Sequence, residues 1–400
     1  MTSPLRVLFI SHAYVVGVNQ GKLNAIASAT SSGSIAQTGK VEVGLLAPSN
    51  WKALEWNRTF EVEKPYPNIK IYTAPVLFPG RGGACIYAPW KISQVLNDFK
   101  PDVVQVEHEV FSLCAFELAI WSRLTGKPLV IFGWENMERT LPLPRRWVRQ
   151  FVLNTAQLIL PGNQDGGNLL RQWGYTGLME VIPQIGVDTQ LFAPKAIQKQ
   201  NEVFNIGFLG RLVPEKGIDT IFCAVRQLRD KGLKCQVTIC GSGSGEDALR
   251  QEAQKQQIAD LVIWRGGIRH EQAPTEINNF DVLILPSRTT ATWKEQFGHV
   301  LIEAMAMGVP VIGSDSGEIP NVIGRSDLVF GEGDSKALTA ILERMICEYS
   351  WWEEVGKYGL DRVEKYYTHE KIAEKLIKLW QTILENTNHK HVGNYMNIKT

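Results

Sequence analysis

The chain of 400 residues is too long for a single compact core and has a length typical of two domains. Its 44% hydrophobic and 21% charged residues are an ordinary globular composition. The 42 Lys and Arg residues against 41 Asp and Glu residues leave a net charge of +1, which excludes a global electrostatic field that would recruit nucleic acid or a membrane.

Neither the cysteines nor the first apolar run indicates a metal site or an exported protein. The six cysteines form no CxxC pair and have no histidine at a metal-ligand spacing, so we expect buried thiols in a reducing compartment. The run from Val7 to Ile10 is too short for a signal peptide or a membrane span. The sequence therefore predicts a cytoplasmic protein.

In the first half, short apolar runs alternate with helical or loop segments, which predicts a doubly wound parallel sheet. The runs are Leu5 to Ser11, Val41 to Ala47, Ile69 to Tyr72, Val103 to Val106, Leu129 to Phe132, Leu158 to Leu160 and Met179 to Ile182. Ligands bind at the carboxyl ends of such strands. Polar clusters follow two of these ends, Glu-His-Glu at 107–109 and Trp-Glu-Asn at 134–136, so both are candidate sites.

A second series of strands begins after a polar boundary at residues 194–202. Its runs are Phe204 to Leu209, Gln236 to Cys240, Leu261 to Trp264, Val282 to Leu285 and Val309 to Gly313. Gly210 and Arg211 follow the first run, and Lys216 comes shortly after them. A glycine that allows close approach, beside a forked cationic donor, suits a diphosphate.

The chemistry is clearest between Glu295 and Glu303. An apolar helical run, His299 to Met307, starts directly after Phe297 and Gly298. A helix start offers unpaired N–H groups and the positive end of the helix dipole. The expected ligand is therefore an anion, most naturally a diphosphate. The two carboxylates would instead accept hydrogen bonds from sugar hydroxyls on either side of it. A nucleotide sugar has this layout of hexose, diphosphate and ribose.

This block resembles the E-x7-E motif of retaining glycosyltransferases of family 4, which are group 1 glycosyltransferases with the GT-B architecture. The segment GRLVPEKGID around Arg211 and Lys216 resembles a second motif of the family, in which Arg and Lys neutralise the donor phosphates. The resemblance implies that Glu295 binds the donor sugar and Glu303 the ribose. It implies further donor contacts from Gly210, Arg211, Lys216 and the backbone of Phe297, Gly298, His299 and Val300.

The GT-B architecture implies two Rossmann-like α/β domains with parallel sheets that face each other across a cleft. The expected bounds are 1–194 for an acceptor-binding domain and 203–376 for a nucleotide-sugar-binding domain. A final helix at about 377–400 is expected to pack back on the first domain. The GSGSG segment at 241–245 is then a loop that lines the donor cleft, and a dinucleotide-binding oxidoreductase is the competing interpretation.

On the acceptor side the resemblance implicates Glu107, His108, Trp134 and Asn136. A histidine of the family lies near the transferred sugar, and His108 has that position, with packing inside the domain as the alternative. A Gly-Gly pair of the family lets the donor phosphates approach the first turn. This chain has Gly17 followed by Val18, so only Gly17 carries over, with a plain strand-to-helix turn as the alternative.

The segment from Arg139 to Val152 is basic and has apolar residues at helical spacing. Some relatives use a basic amphipathic helix of this domain to bind membranes near lipid-linked acceptors. The alternative is that Trp147 and Phe151 pack on the sheet while the arginines are solvated. Peripheral contact with the inner face of the membrane is thus one of two interpretations.

The implied reaction transfers a hexosyl group from a nucleotide-diphosphate sugar to an acceptor hydroxyl with retention, in the synthesis of a polysaccharide, glycolipid or other glycoconjugate. The residues implicated in catalysis are Glu295, Arg211, Lys216 and His108. The expected partners are the donor and a glycan or lipid-linked acceptor, with no metal, other cofactor or nucleic acid. A nucleotide-sugar epimerase and a non-catalytic nucleotide-sugar-binding partner subunit are the alternatives.

Overall fold

The computed structural model describes residues 3–29, 40–53, 58–194 and 202–396, in two compact units. The N-terminal unit is Met1–Gly186 together with His369–Thr400, and the C-terminal unit is Val187–Thr368. The chain passes from the first unit to the second between Gly186 and Val187, before the boundary expected at residues 194–202. The reason is local: Val187 pairs with Thr368 and donates its N–H to the carbonyl of Tyr367. Residues 195–201 of the expected linker lie outside the described residues.

The N-terminal unit is built on a seven-stranded parallel sheet in the order β11-β10-β9-β8-β1-β2-β5. Its strands are β1 (Leu5–Ile10), β2 (Val41–Pro48), β5 (Ile69–Ala74), β8 (Val103–Glu107), β9 (Leu129–Gly133), β10 (Leu158–Pro161) and β11 (Leu178–Met179). The helices are α1 (Gly21–Ser28), α2 (Pro89–Phe99), α3 (Leu113–Thr125), α4 (Leu143–Leu153), α5 (Gln164–Gln172) and α13 (His369–Met396). The central strands are buried along their length, as expected for a sheet covered on both faces.

The C-terminal unit has a six-stranded parallel sheet in the order β14-β13-β12-β15-β16-β17. Its strands are β12 (Phe204–Leu209), β13 (Cys235–Cys240), β14 (Val262–Gly266), β15 (Val282–Leu285), β16 (Val311–Ser314) and β17 (Val329–Phe330). The helices are α6 (Ile218–Asp230), α7 (Glu246–Lys255), α8 (Ala273–Ile277), α9 (His299–Ala306), α10 (Ile319–Ile323), α11 (Ser335–Cys347) and α12 (Tyr349–Tyr366). The prediction of two parallel-sheet α/β domains is confirmed.

Two antiparallel pairs in the N-terminal unit were not predicted from the sequence. They are β3 (Asn50–Ala53) with β4 (Arg58–Glu61), and β6 (Val76–Leu77) with β7 (Ile86–Tyr87). All four strands are short and join segments that carry no clear period of two, so the hydrophobic pattern does not reveal them.

Both sheets reverse their strand order once, and this decides where a ligand can bind. In the N-terminal sheet the reversal lies between β1 and β8, and in the C-terminal sheet it lies between β12 and β15. Loops leaving two such neighbouring strands run in opposite directions and open a crevice at the carboxyl ends. The candidate sites are therefore the loops after β1 and β8 in one unit and those after β12 and β15 in the other.

A buried ion pair fastens three elements of the N-terminal unit. Lys22 of α1 places its Nζ 2.9 Å from Oε1 of Glu107 at the end of β8, and both side chains are almost completely buried. Gln105 and Gln184 also donate to this carboxylate, at 3.0 and 2.8 Å. The indole of Trp380 in α13 donates to Gln105 at 3.1 Å, so the last helix joins the same network.

Removing the lysine of this pair should strongly destabilise the N-terminal unit. The variant Lys22→Met leaves a carboxylate buried without its cation, which typically costs about 3–5 kcal/mol. As a control, Lys127→Met removes the same charge from the exposed pair with Asp102 and should cost less than about 1 kcal/mol. Urea unfolding followed by circular dichroism measures both, and equal losses in the two variants would contradict the role given to Lys22.

Candidate functional site

The loops after β12 and β15 are in direct backbone contact. Gly217 has a left-handed backbone with φ of 63°, and a Cβ at this position would overlap the carbonyl oxygen of Pro286. The N–H of Arg288 donates to the carbonyl of Glu215 at 2.8 Å. The two loops are thereby held together at the point where the strand order of the sheet reverses.

This contact places Lys216 beside Glu295. The Nζ of Lys216 lies 2.6 Å from Oε2 of Glu295, and both side chains are largely buried. The hydroxyl of Ser287, which directly follows Pro286, donates to the same oxygen at 2.7 Å. Two residues that are 79 positions apart thus form one charged pair at the crevice.

The helix α9 begins beside this pair. Gly298, its N-cap, has φ of 84°, and a Cβ there would come within 2.7 Å of Leu285. Phe297 is buried and packs edge-on against Tyr367 at a ring distance of 5.7 Å, which anchors the turn. The first N–H groups of a helix point toward its N-terminus and favour an anion, and in α9 the first helical residues are His299 and Val300.

Glu303 lies one turn further along α9, with 15% of its side chain exposed. Burial raises the pKa of Glu303 from 4.5 to about 7, because the surroundings disfavour its charged form. The Nδ1 of His270 lies 3.9 Å from Oε1 of Glu303, and burial lowers the pKa of this histidine, which disfavours its cationic form. Near neutral pH this carboxyl group can both donate and accept hydrogen bonds, as sugar hydroxyls require.

The remaining donor-side residues lie in the loop after β12. Gly210 donates its N–H to the carbonyl of Cys240 at 3.0 Å. Arg211 is exposed, and among the described residues its guanidinium has no hydrogen-bond or ion-pair partner. Its charge is therefore available to an anionic ligand.

The glycines at 241–245 have a packing role. The N–H of Gly241 donates to the carbonyl of Gly266 at 2.8 Å, and a Cβ at Gly243 would overlap the backbone of Leu212. Gly245 donates its N–H to the carbonyl of Leu212 at 2.8 Å. These contacts let the loops after β12 and β13 pack backbone to backbone, and they explain the glycine spacing without a dinucleotide.

Two N-terminal residues are placed differently from the expectation. The N–H of Gly17 donates to Oε2 of Glu63 at 2.6 Å. The amide expected to bind the donor phosphates is therefore hydrogen-bonded to a carboxylate. Glu107, expected on the acceptor side, is buried in the network with Lys22. In both cases a distant partner in the sequence decides the role, and the local pattern does not reveal it.

His108 follows β8 and is only 4% exposed. Its ring centroid lies 4.8 Å from that of His12, which follows β1 and is stacked on Trp51. The Gly82 backbone is close, but among the described residues neither ring nitrogen of His108 has a hydrogen-bond partner at normal geometry. Burial lowers the pKa of His108 to about 4, so the imidazole is neutral at physiological pH.

The second acceptor-side cluster lies next to the first. The indole N–H of Trp134 donates to Oε1 of Gln184 at 3.0 Å. Asn136, two residues further along the chain, is buried. The backbone N–H of Trp134 donates to Glu109 at 2.7 Å. Burial raises the pKa of Glu109 to about 7. The loops after β8 and β9 are thus joined by polar contacts.

The basic segment at 139–152 forms α4. Its inner face is packed, since Val148 and Val152 are buried, while Trp147 is 60% exposed and stacks on Phe151 at 5.7 Å. Arg145 donates to the carbonyls of Gly83 and Phe111. The helix therefore combines a packed face with an exposed aromatic and basic face.

In the part of the chain that the structure describes, no three His, Cys, Asp or Glu side chains are grouped as metal ligands. Within the same residues, every helix is too short or too polar to cross a bilayer.

The family comparison matches the unit that holds the charged pair. The description "Glycosyl transferases group 1" applies to residues 190–361, which include Arg211, Lys216, Glu295 and Glu303. The expected resemblance to group 1 glycosyltransferases is thereby borne out over residues 190–361.

The chain is also similar to glycosyltransferases of bacteria. The chain is 31% identical to the capsular polysaccharide biosynthesis glycosyltransferase CapM of Staphylococcus aureus over 48% of this chain and 49% of that protein. It is 26% identical to the putative colanic acid biosynthesis glycosyltransferase WcaL of Salmonella typhimurium over 73% of each. The chain spans about half the length of the first relative and nearly three quarters of the second.

Among solved structures, HepE of Anabaena in complex with UDP matches this chain with a TM-score of 0.68 and 17% identity. The match covers 94% of this chain and all of that one. At this identity the likeness establishes the fold, which is of the GT-B class.

The raised pKa of Glu303 predicts a specific pH dependence. The folded protein keeps this proton to about pH 7, whereas the unfolded chain releases it near pH 4.5, so the contribution of Glu303 to stability falls as pH rises between these values. The variant Glu303→Gln should therefore gain stability over the wild type at pH 8 relative to pH 5, on the order of 3 kcal/mol.

Urea unfolding at the two pH values measures this gain. The matched control is Glu343→Gln, which removes an exposed carboxylate of the same unit and should change stability equally at both pH values. A pH-independent effect of Glu303→Gln would show that this carboxyl group is already ionised at pH 5.

Proposed function

We propose that this chain is a glycosyltransferase that binds a nucleotide-diphosphate sugar in its C-terminal unit and transfers the hexosyl group to an acceptor hydroxyl with retention, as in family 4. The observation that carries the proposal is the Lys216–Glu295 pair beside the N-terminus of α9. It brings a cation, the start of a helix and a carboxylate to one crevice, within the matched residues.

The roles follow from the charges. The diphosphate would lie against the amides of His299 and Val300, with Lys216 and the exposed Arg211 as its cations. Glu295 would accept hydrogen bonds from the hexose, and Glu303 would contact the ribose. Because these cations neutralise the diphosphate, the proposed reaction requires no metal.

The chemical step is the loss of a nucleoside diphosphate. The bond between the anomeric carbon and the phosphate oxygen breaks, and negative charge grows on that oxygen, where Lys216 and the helix dipole stabilise it. The acceptor hydroxyl attacks from the same face and passes its proton to the leaving phosphate. Retention then needs no protein nucleophile.

The acceptor is proposed to bind the N-terminal unit through the loops after β8 and β9. Support comes from the neutral, buried His108, whose ring nitrogens have no hydrogen-bond partner at normal geometry among the described residues. Trp134 and Asn136 lie on the neighbouring loop. The names of the two bacterial relatives support an acceptor in polysaccharide synthesis, and neither names an epimerase.

Removal of Lys216 should weaken donor binding. The variant Lys216→Ala loses charge-assisted hydrogen bonds of about 1.5–3 kcal/mol, so the Kd for the nucleotide diphosphate should rise by roughly ten- to a hundredfold. Calorimetric titration with UDP and with GDP measures it. The control Lys231→Ala removes a cation from an exposed pair of the same unit and should leave the Kd unchanged.

Replacement of Glu295 should act on turnover more than on nucleotide affinity. In Glu295→Ala the hexose loses its acceptor group while the diphosphate keeps its cations, so kcat should fall further than the Kd for the free nucleotide rises. An assay of nucleotide release from UDP- or GDP-hexose measures kcat. A wild-type kcat in this variant would show that Glu295 does not bind the hexose.

We further propose that α4 contacts the inner face of the membrane, where a lipid-linked acceptor would be found. Support comes from exposed Leu143 and Trp147 beside exposed Arg146, together with Leu124 of the adjacent α3, which is 81% exposed. Apolar side chains enter the interface while cations bind anionic headgroups.

Vesicle co-sedimentation tests this contact. The variant Trp147→Ser should reduce binding to vesicles of phosphatidylglycerol and phosphatidylethanolamine by roughly tenfold, since a buried indole contributes an amount of this order. The variant Trp90→Ser removes an equally exposed indole from α2 and serves as the control. Equal losses in both variants, or none in either, would argue against α4.

A further inference from the structure

The segment that joins β15 to the turn before α9 is held by side-chain contacts at its start. This segment, residues 288–294, is here called the 288–294 loop. The guanidinium of Arg288 donates to Asp219 at 2.8 Å and to Thr220 at 2.7 Å, both on α6. Thr289 donates its N–H to Glu332 at 2.7 Å. The base of the loop is thus tied to two other parts of the C-terminal unit.

The tip of the same loop is closed by its own hydrogen bonds. The N–H of Thr290 donates to the carbonyl of Trp293 at 2.8 Å, and the N–H of Trp293 donates back to the hydroxyl of Thr290 at 3.0 Å. The N–H of Thr292 donates to this hydroxyl as well, at 3.3 Å. These reciprocal bonds fix the backbone of Trp293, from which its side chain extends.

The indole of Trp293 lies against the ammonium group of Lys216. The Nζ of Lys216 is 5.0 Å from the ring centroid of Trp293. The same Nζ forms an ion pair with Oε2 of Glu295 at 2.6 Å. An ammonium group has three N–H donors, so the carboxylate engages one side and the aromatic face another. Among the described residues no further partner takes this ammonium group, so a donor remains for another acceptor.

An aromatic face suits this position better than a second carboxylate. A lysine side chain is flexible, and holding its ammonium in one place costs conformational entropy. A second carboxylate would hold it but would repel a diphosphate, whereas an indole attracts the cation through its ring electrons and carries no charge. The loop therefore orders Lys216 without adding a competing anion.

We propose that Trp293 is a positioning residue, which holds the Lys216 ammonium in the orientation that receives the donor diphosphate. The inference rests on the proposed function, because it deepens the role given to Lys216. It assigns the 288–294 loop to donor affinity, acting through a cation–π contact and not by touching the nucleotide.

A double-mutant cycle tests this role. The Kd values for UDP and for GDP are measured by calorimetry for the wild type, Trp293→Leu, Lys216→Met and the double variant. We expect Trp293→Leu to raise the Kd roughly tenfold. In the Lys216→Met background the same change should have no further effect, because the cation that the indole holds is gone.

Two further variants separate positioning from folding. Trp293→Phe keeps an aromatic face and should restore most of the affinity. Tyr366→Leu removes an exposed ring of the same unit that also lies 5.0 Å from a lysine, Lys365, and should leave the Kd unchanged. Melting temperatures report whether any variant has lost its fold.

The outcomes are distinct. If Trp293→Leu weakens binding as much without Lys216 as with it, the indole acts on the nucleotide or on the fold, and the positioning role is wrong. An unchanged Kd in Trp293→Leu overturns it as well. If the wild-type protein binds neither UDP nor GDP, the proposed donor site itself fails, and the role of Trp293 fails with it.

Discussion

The candidate site depends on one backbone contact, the approach of Gly217 to the carbonyl of Pro286. It is possible only because residue 217 has no side chain, and it joins the loops that leave β12 and β15. Lys216 and Glu295 meet because their loops meet. Their ion pair is thus a consequence of the strand order, which reverses between the parallel strands β12 and β15.

The N-terminal unit repeats this topology with a different chemistry. Its reversal, between β1 and β8, brings two uncharged imidazoles together, His12 and His108. The charge in this region is buried underneath, where Lys22 neutralises Glu107. One unit therefore offers cations suited to a diphosphate, whereas the other offers neutral hydrogen-bonding groups suited to a hydroxyl.

Much of this arrangement can be predicted from the sequence, because apolar runs of strand length and the spacing from Glu295 to Glu303 are local signals. Other features need contacts between distant segments. Nothing near Gly17 indicates that Glu63 will take its N–H, and nothing near Glu107 indicates Lys22 as its partner. The place of Trp293 over Lys216 depends on loop hydrogen bonds that leave no periodic pattern.

The central claim is that the amides at the start of α9 and the ammonium of Lys216 together bind a diphosphate. A crystal structure of the protein with bound UDP or GDP tests it most directly. We expect phosphate oxygens within hydrogen-bonding distance of the N–H groups of His299 and Val300 and of the Nζ of Lys216. A diphosphate bound at the glycines of 241–245, or anywhere out of reach of α9, would contradict it.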